Sequence, residues 1–147
     1  MSERSNIERF DELTGEILAT LYRSFPVPKN LLPAEFVNNP TEYNEAVQAD
    51  VPSEETRFFI ATAEWLRMAG YLSADPQDGH GHIVRNCVLT PKGLEVLKVK
   101  PSNLDDVDTL GEQLVTATQQ GGKDAARKAV GDVLNLGARF LIGLGSP

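Results

Sequence analysis

Residues 53–97 constrain this chain more than any other stretch. Ser53 is a good N-cap, and Glu54 and Glu55 follow where the positive end of a helix dipole favours anions. The run "TRFFIATAEWLRMAGYL" then predicts a helix over 53–72, which Gly70 brings to its end. At about 100° per residue, Phe58, Phe59, Thr62, Trp65, Leu66 and Ala69 fall on one face. Arg57, Ile60, Ala61, Glu64, Arg67, Met68 and Tyr71 fall on the other. A strand is expected at 71–74 and a second at 83–89. Between them "DPQDGHG" has the Asp-Gly chemistry of a hairpin tip. "TPKGLEVLK" restarts a helix, with Thr90 as N-cap and Pro91 in first position.

Upstream, Ile7, Phe10, Leu13, Ile17, Leu18, Leu21, Tyr22 and Phe25 recur at spacings of three and four and predict an amphipathic helix over 7–25. Gly15 weakens it by roughly 1 kcal/mol relative to Ala, and Pro26 and Pro28 stop it. A short helix is expected at 33–37, because Pro33 suits a first turn. The polar, acidic stretch "NNPTEYNEAVQADVP" is expected to hold another helical turn near 41–48. Beyond residue 100 the composition changes. Leu104, Val107, Leu110, Leu114, Val115 and Thr118 form one stripe, and Gly121-Gly122 breaks it. Ala126, Ala129, Val130, Val133, Gly137, Phe140, Leu141 and Leu144 form a second. The organisation read from the chain is a unit over 1–100 and an amphipathic helical extension over 101–147.

Helix, helix, long helix, hairpin, helix is the order of a winged helix-turn-helix. "LRMAGYL" resembles the end of the recognition helix in MarR- and PadR-type winged helices, and "VLTPKGLEVL" is similar to their second wing strand and following helix start. The resemblance covers about residues 7–100. It implies a mainly α (α+β) fold: a winged helix with a small two-stranded wing, followed by the C-terminal helical extension. It also implies a DNA-binding transcription regulator that pairs its terminal helices in a dimer. One feature departs from it. Such regulators commonly carry an Asp-x-Arg pair in the wing, whereas "DPQDGHGHIVRN" has Arg85 alone, in the strand.

Charge argues against the DNA reading. The chain of 147 residues carries a net −7, whereas nucleic-acid binders show a basic excess. Over residues 53–91, Arg57, Arg67 and Arg85 stand against Glu54, Glu55, Glu64, Asp75 and Asp78, a net −2. Affinity for a duplex comes largely from cations that displace counterions from phosphates. The leading expectation is therefore a non-enzymatic interaction module. Arg57, Ile60, Glu64, Arg67, Met68, Tyr71 and Arg85 would meet a protein partner, with double-stranded DNA as the alternative. Met, aromatics and Arg are the types enriched at interfaces, and the competing reading packs the same side chains on the wing.

The extension has three readings, in order. It pairs with a second copy through Leu110, Leu114, Val130, Val133, Phe140 and Leu141. It folds back on its own chain. Or it lies on a membrane surface, drawn by Lys123, Arg127, Lys128 and Arg139. His80 and His82 alternate with glycine and are weak metal candidates without a third ligand at fixed spacing. Cys87 is the single cysteine, expected to be a buried, inert thiol. A redox role would need Arg85, two residues away on the same strand face, to lower its pKa. There is no Ser-His-acid pattern and no Gly-rich phosphate loop, so neither catalysis nor a cofactor is expected. With one cysteine and no apolar core in "MSERSNIERF", a cytoplasmic setting is expected.

Overall fold

Ser5 opens the first helix by accepting a hydrogen bond from the Glu8 backbone N–H, and the helix runs to Ser24, just ahead of Pro26. In the computed structural model, which describes residues 4–77, 82–101 and 107–145 (140–145 by backbone alone), the elements follow in order. They are α1 (Asn6–Ser24), β1 (Lys29–Leu31), a 3-10 turn (Pro33–Glu35), β2 (Thr41–Asn44), β3 (Ala49–Pro52) and α2 (Glu54–Met68). β4 (Leu72–Ser73), β5 (Val84–Leu89), α3 (Pro91–Leu97), α4 (Leu110–Gln120) and α5 (Lys123–Gly145) complete the chain. The class is α+β, with two small antiparallel sheets.

Two expected helical pieces differ from the expectation. The helix expected at 33–37 shrinks to a three-residue 3-10 turn. The turn expected near 41–48 is a β-hairpin, in which Thr41 pairs with Pro52 and Asn44 with Ala49. Its tip is closed by side-chain chemistry. Asn44 Oδ1 accepts from the Ala46 and Val47 N–H groups, and Gln48 adopts a left-handed φ of 52°. Its base is tied to α2: Thr56 Oγ1 donates to the Pro40 carbonyl at 2.7 Å, and Ser53 N donates to the same carbonyl. Thr41, Tyr43 and Val51 favour strand, but four acids between 42 and 54 mask that signal.

The flap is also larger than two strands. β1 adds to it, so the sheet order is β1-β5-β4. The pairings Lys29–Cys87 and Leu31–Val84 place two residues of β1 against three steps of β5. The extra residue is a bulge at Asn86, whose φ is 53°. Asn30 Oδ1 accepts from the Asn86 N–H, and Asn86 Nδ2 donates to Asp75 Oδ2 at 2.8 Å. A bulge shifts the face of every later side chain. Val84, Cys87 and Leu89 therefore point inward while Arg85 does not. The sequence places Arg85 and Cys87 on one face, and the bulge separates them.

The extension belongs to the same core as the rest. Leu110, Leu114, Val130 and Val133 are fully or almost fully buried within the single chain, in one cluster with Ile17, Leu18 and Phe59. This corrects the dimerisation reading for those four positions: the second copy they were expected to need is replaced by α1. Close approach is what makes this partner available. A Cβ at Gly15 would touch Val130 and Leu114 at 3.3 and 3.5 Å, and one at Gly111 would lie 2.6 Å from the Tyr22 ring. Phe140 and Leu141 lie in the last turns of α5, and their side chains are outside the described residues. Leu104 is outside them too. α4 begins later than the stripe suggests, where Thr109 and Glu112 form a reciprocal capping box.

Tyr71 is the point where flap and extension lock. Its side chain is 3% exposed, and a Cβ at Gly137 of α5 would collide with its hydroxyl. Gly137→Ala is expected to lower stability by about 1–3 kcal/mol through overpacking. The penalty should shrink in a Tyr71→Phe background, because the atom struck first is gone; a thermal-denaturation double-mutant cycle reads this coupling. Two ring carbons at 2.5 and 2.8 Å keep part of the penalty in that background, and equal penalties in both would mean that the hydroxyl carries none of it. Thr14 Oγ1 is buried and makes no hydrogen bond among the described residues. Replacing it with a methyl by Thr14→Val removes an unpaired polar atom, so stability should hold or rise by about 1 kcal/mol. A clear fall in the melting temperature would mean that the hydroxyl is paired.

Candidate functional interface

Helix α2 is built to present one face. Ser53 accepts from the Thr56 N–H at its start, and Gly70 turns out of it with a φ of 88°. Thr56, Phe59, Thr62, Ala63 and Leu66 point into the core. The far end is clamped by Lys92, whose Nζ donates to the Ala69 carbonyl at 2.8 Å and sits 4.4 Å over the Tyr71 ring. Burial lowers the Lys92 pKa from the ordinary lysine value.

The seven residues proposed for contact do not form one patch. Arg57 is exposed at the start of α2; it donates to the Pro52 carbonyl at 2.9 Å and lies 3.9 Å from Glu42 of the hairpin. Ile60 is half-buried against the core, and it shares a small crevice with Glu64, Arg67, Ala74 and Asp75 beside the flap. Arg67 Nε donates to Glu64 Oε2 at 3.0 Å and a second nitrogen reaches the other oxygen. That bond holds the Glu64 carboxyl below its usual range and raises Arg67. Met68 is 74% exposed. Arg85 is half-buried on β5, where its carbonyl accepts from Asp75 N–H. Tyr71 was placed on the outward face and is inside, because the left-handed turn at Gly70 ends the helical phase one residue before it.

Trp65 makes the opposite move. Helical phase puts it on the buried face, yet it is 47% exposed. Its ring meets Phe10 of α1 edge to face, at 5.3 Å and 89°. Beside this pair Arg9 lies 4.1 Å over the Phe58 ring and binds both oxygens of Glu54. Exposed Ile7 extends the apolar surface along α1. Ile7, Phe10 and Trp65 are the residues that sequence reasoning missed. The spacing of Trp65 and Met68, three apart on the helix, was a readable hint; the crossing of α1 over α2 was not.

The chain around this surface is acidic. Between Lys29 and Arg57 there is no lysine or arginine, and Glu35, Glu42, Glu45, Asp50, Glu54 and Glu55 fall in that interval. The hairpin within it is exposed, with Tyr43 and Val47 projecting into solvent.

The remaining candidates are quickly placed. Cys87 is fully buried, and burial pushes its thiol up to about 12, which disfavours the reactive thiolate. His82 is half-buried with a φ of 53°, and His80 lies outside the described residues. Among the described residues no three His, Cys, Asp or Glu side chains group to hold a metal. No described helix is long and apolar enough to cross a membrane. In the α5 stripe Ala126, Ala129, Val130 and Val133 are turned inward, away from any lipid surface, and the side chains of Phe140, Leu141 and Leu144 are outside the described residues. Comparison with protein families, with curated proteins and with solved structures finds no match.

Proposed function

We propose that this chain is a non-enzymatic winged-helix interaction module that docks a protein partner through α2 and the first turns of α1. The observation that carries the reading is the apolar surface of exposed Ile7, Trp65 and Met68, with half-buried Phe10 packed against the Trp65 ring. An aromatic and a methionine on the outer side of the helix that a winged helix uses for recognition are the residue types that anchor interfaces. The sheet order β1-β5-β4, with the first strand against the second flap strand, supports the winged-helix reading by analogy of topology. The helix that normally precedes the recognition helix is replaced by a 3-10 turn and the acidic hairpin.

That replacement favours protein over DNA. Arg57 and Arg67 each face a glutamate, and the hairpin that supplies Glu42 carries Asp50 and Glu45 further from its base. Phosphates approaching this face meet carboxylates before they meet free cations. A reducing compartment such as the cytoplasm suits a chain whose one thiol is buried and inert.

A photo-crosslinking amino acid at position 68, compared with one at exposed Gln119 on α4, tests the reading in cells. A protein adduct formed from position 68 and not from 119, and lost on Trp65→Ala, is the expected result. The DNA alternative is read by anisotropy with mixed duplex at ~50 mM salt, where non-specific phosphate binding is strongest. Saturable duplex binding that is abolished by Arg57→Ala with Arg67→Ala would overturn the protein-docking proposal. So would the lack of any adduct specific to position 68.

A further inference from the structure

Concave surface lies elsewhere on the molecule. A groove of about 480 Å³ runs over the middle of α1, between residues 36–38 and the α4–α5 turn. A second of about 460 Å³ continues it toward the end of α1. Both share Glu16, Phe36, Val37, Asn38 and Thr118, so Glu16 stands at the waist of one continuous channel. This size is that of small-molecule sites.

The charges along the channel are of two kinds. Arg4 is bound to Glu12, and Arg9 to Glu54; Glu35 and Glu55 each accept a backbone N–H. Those groups satisfy one another. Glu16 does not: its carboxylate is half-buried and accepts no hydrogen bond from any described residue. Burial and the neighbouring Glu12 raise its pKa, and Lys123 draws it back. Lys123 makes no ion pair among the described residues and lines the same groove. The channel thus offers one unpaired anion with Lys123 close to it, while two further cations, Arg23 and Lys29, line the second groove.

Phe36 and Val37 supply apolar surface along the channel. Phe36 is stacked on buried Phe59, with centroids 5.0 Å apart and planes 16° from parallel, and Val37 follows it. Asn38 and Thr118 supply neutral polar groups. A half-buried carboxylate without a donor is an unfavourable arrangement that a cationic group relieves.

We propose that this channel binds a small zwitterion of the α-amino acid type with an aromatic or aliphatic side chain. The ligand's ammonium donates to Glu16, its carboxylate faces Lys123, and its apolar body lies on Phe36 and Val37. A simple anion would leave Glu16 unpaired and repelled, and a simple amine would leave Lys123 unanswered. The proposal rests on other side chains than the docking surface, since none of Ile7, Phe10, Trp65 and Met68 lines the channel, although Arg9 and Glu54 border both.

The test is calorimetric titration of the full chain with L-phenylalanine and L-leucine, beside phenethylamine and 3-phenylpropionate as probes lacking one charge each. At least one amino acid should bind saturably, and each truncated probe should bind about tenfold or more weakly, the usual loss for a charge-assisted bond. Glu16→Gln preserves shape and should remove binding of the amino acid and of phenethylamine while leaving any 3-phenylpropionate binding intact. Lys123→Met should do the converse. Circular dichroism confirms that both variants fold. Amide shifts in labelled protein should gather at Phe36, Val37, Asn38 and Thr118. No saturable binding of either amino acid, binding unchanged in Glu16→Gln, or 3-phenylpropionate binding as tightly as L-phenylalanine would each overturn the proposal.

Discussion

The packing of α1 against α4 and α5 is the contact on which everything else depends. α1 is buried on two sides: Ile17, Leu18 and Leu21 are fully enclosed, while Gly15 meets Val130 and Leu114. Burying a side chain of the size of leucine contributes about 1.5–3 kcal/mol, so Leu110, Leu114, Val130 and Val133 together outweigh the modest helix cost of Gly15. That glycine is a weakness of α1 considered as an isolated helix. In the assembled chain it is the notch that lets two further helices approach. Once α1 is held from behind, its front supports α2 and its side supports β5.

Two small backbone features then direct the outward chemistry. The left-handed Gly70 ends α2 and sends Tyr71 into the core against Gly137. The bulge at Asn86 turns Arg85 away from the face occupied by Val84 and Cys87. Both decide which side chains reach the surface, and both do so through positive φ, not through side-chain polarity. A methionine and a tryptophan remain outside as a result, while the tyrosine and the thiol are withdrawn.

What was legible in the sequence was chemistry confined to a few neighbouring residues. Ser53 and Thr90 cap helices as their side chains dictate, Gly70 and Gly121 end them, and the middle of each stripe, Ile17, Leu18 and Leu21 in α1 and Ala126, Ala129, Val130 and Val133 in α5, is buried as its spacing predicts. Thr109-x-x-Glu112 was equally readable, as the signature of a capping box. The rest depended on partners far away along the chain. β1 finds β5 more than fifty positions later, and three residues flanked by prolines and leucines do not announce a strand. The hairpin at 41–52 is held by bonds from its base to Thr56 and Ser53, so its local composition looked like loop. An apolar stripe states that a helix needs cover and does not say whose; α4 and α5 took theirs from α1. Trp65 and Tyr71 exchanged places because the phase of a helix is reliable only as far as the helix runs. Glu16 gave no signal at all, since its lack of a partner exists only once 36–38 and the α4–α5 turn close over it.

The balance of energies on the outer face of α2 explains why protein contact is the stronger reading of it. Exposed ion pairs such as Arg67–Glu64 and Arg57–Glu42 are screened by water and salt, so they do not lock the arginines in place. Their effect is on the field. A phosphate that displaces Glu64 from Arg67 still faces that carboxylate within the same turn of helix, and Glu42 of the hairpin lies beside Arg57. Little of the counterion-release term that drives duplex binding is therefore on offer here. Apolar contact carries no such opposition. Covering Trp65 and Met68 gains on the order of 1.5–3 kcal/mol for each side chain fully withdrawn from water, and Phe10 already holds the indole in position. The arginines retain a use in that setting: paired with glutamate they form a polar margin around an aromatic centre, the arrangement in which a central anchor supplies affinity and the rim excludes water.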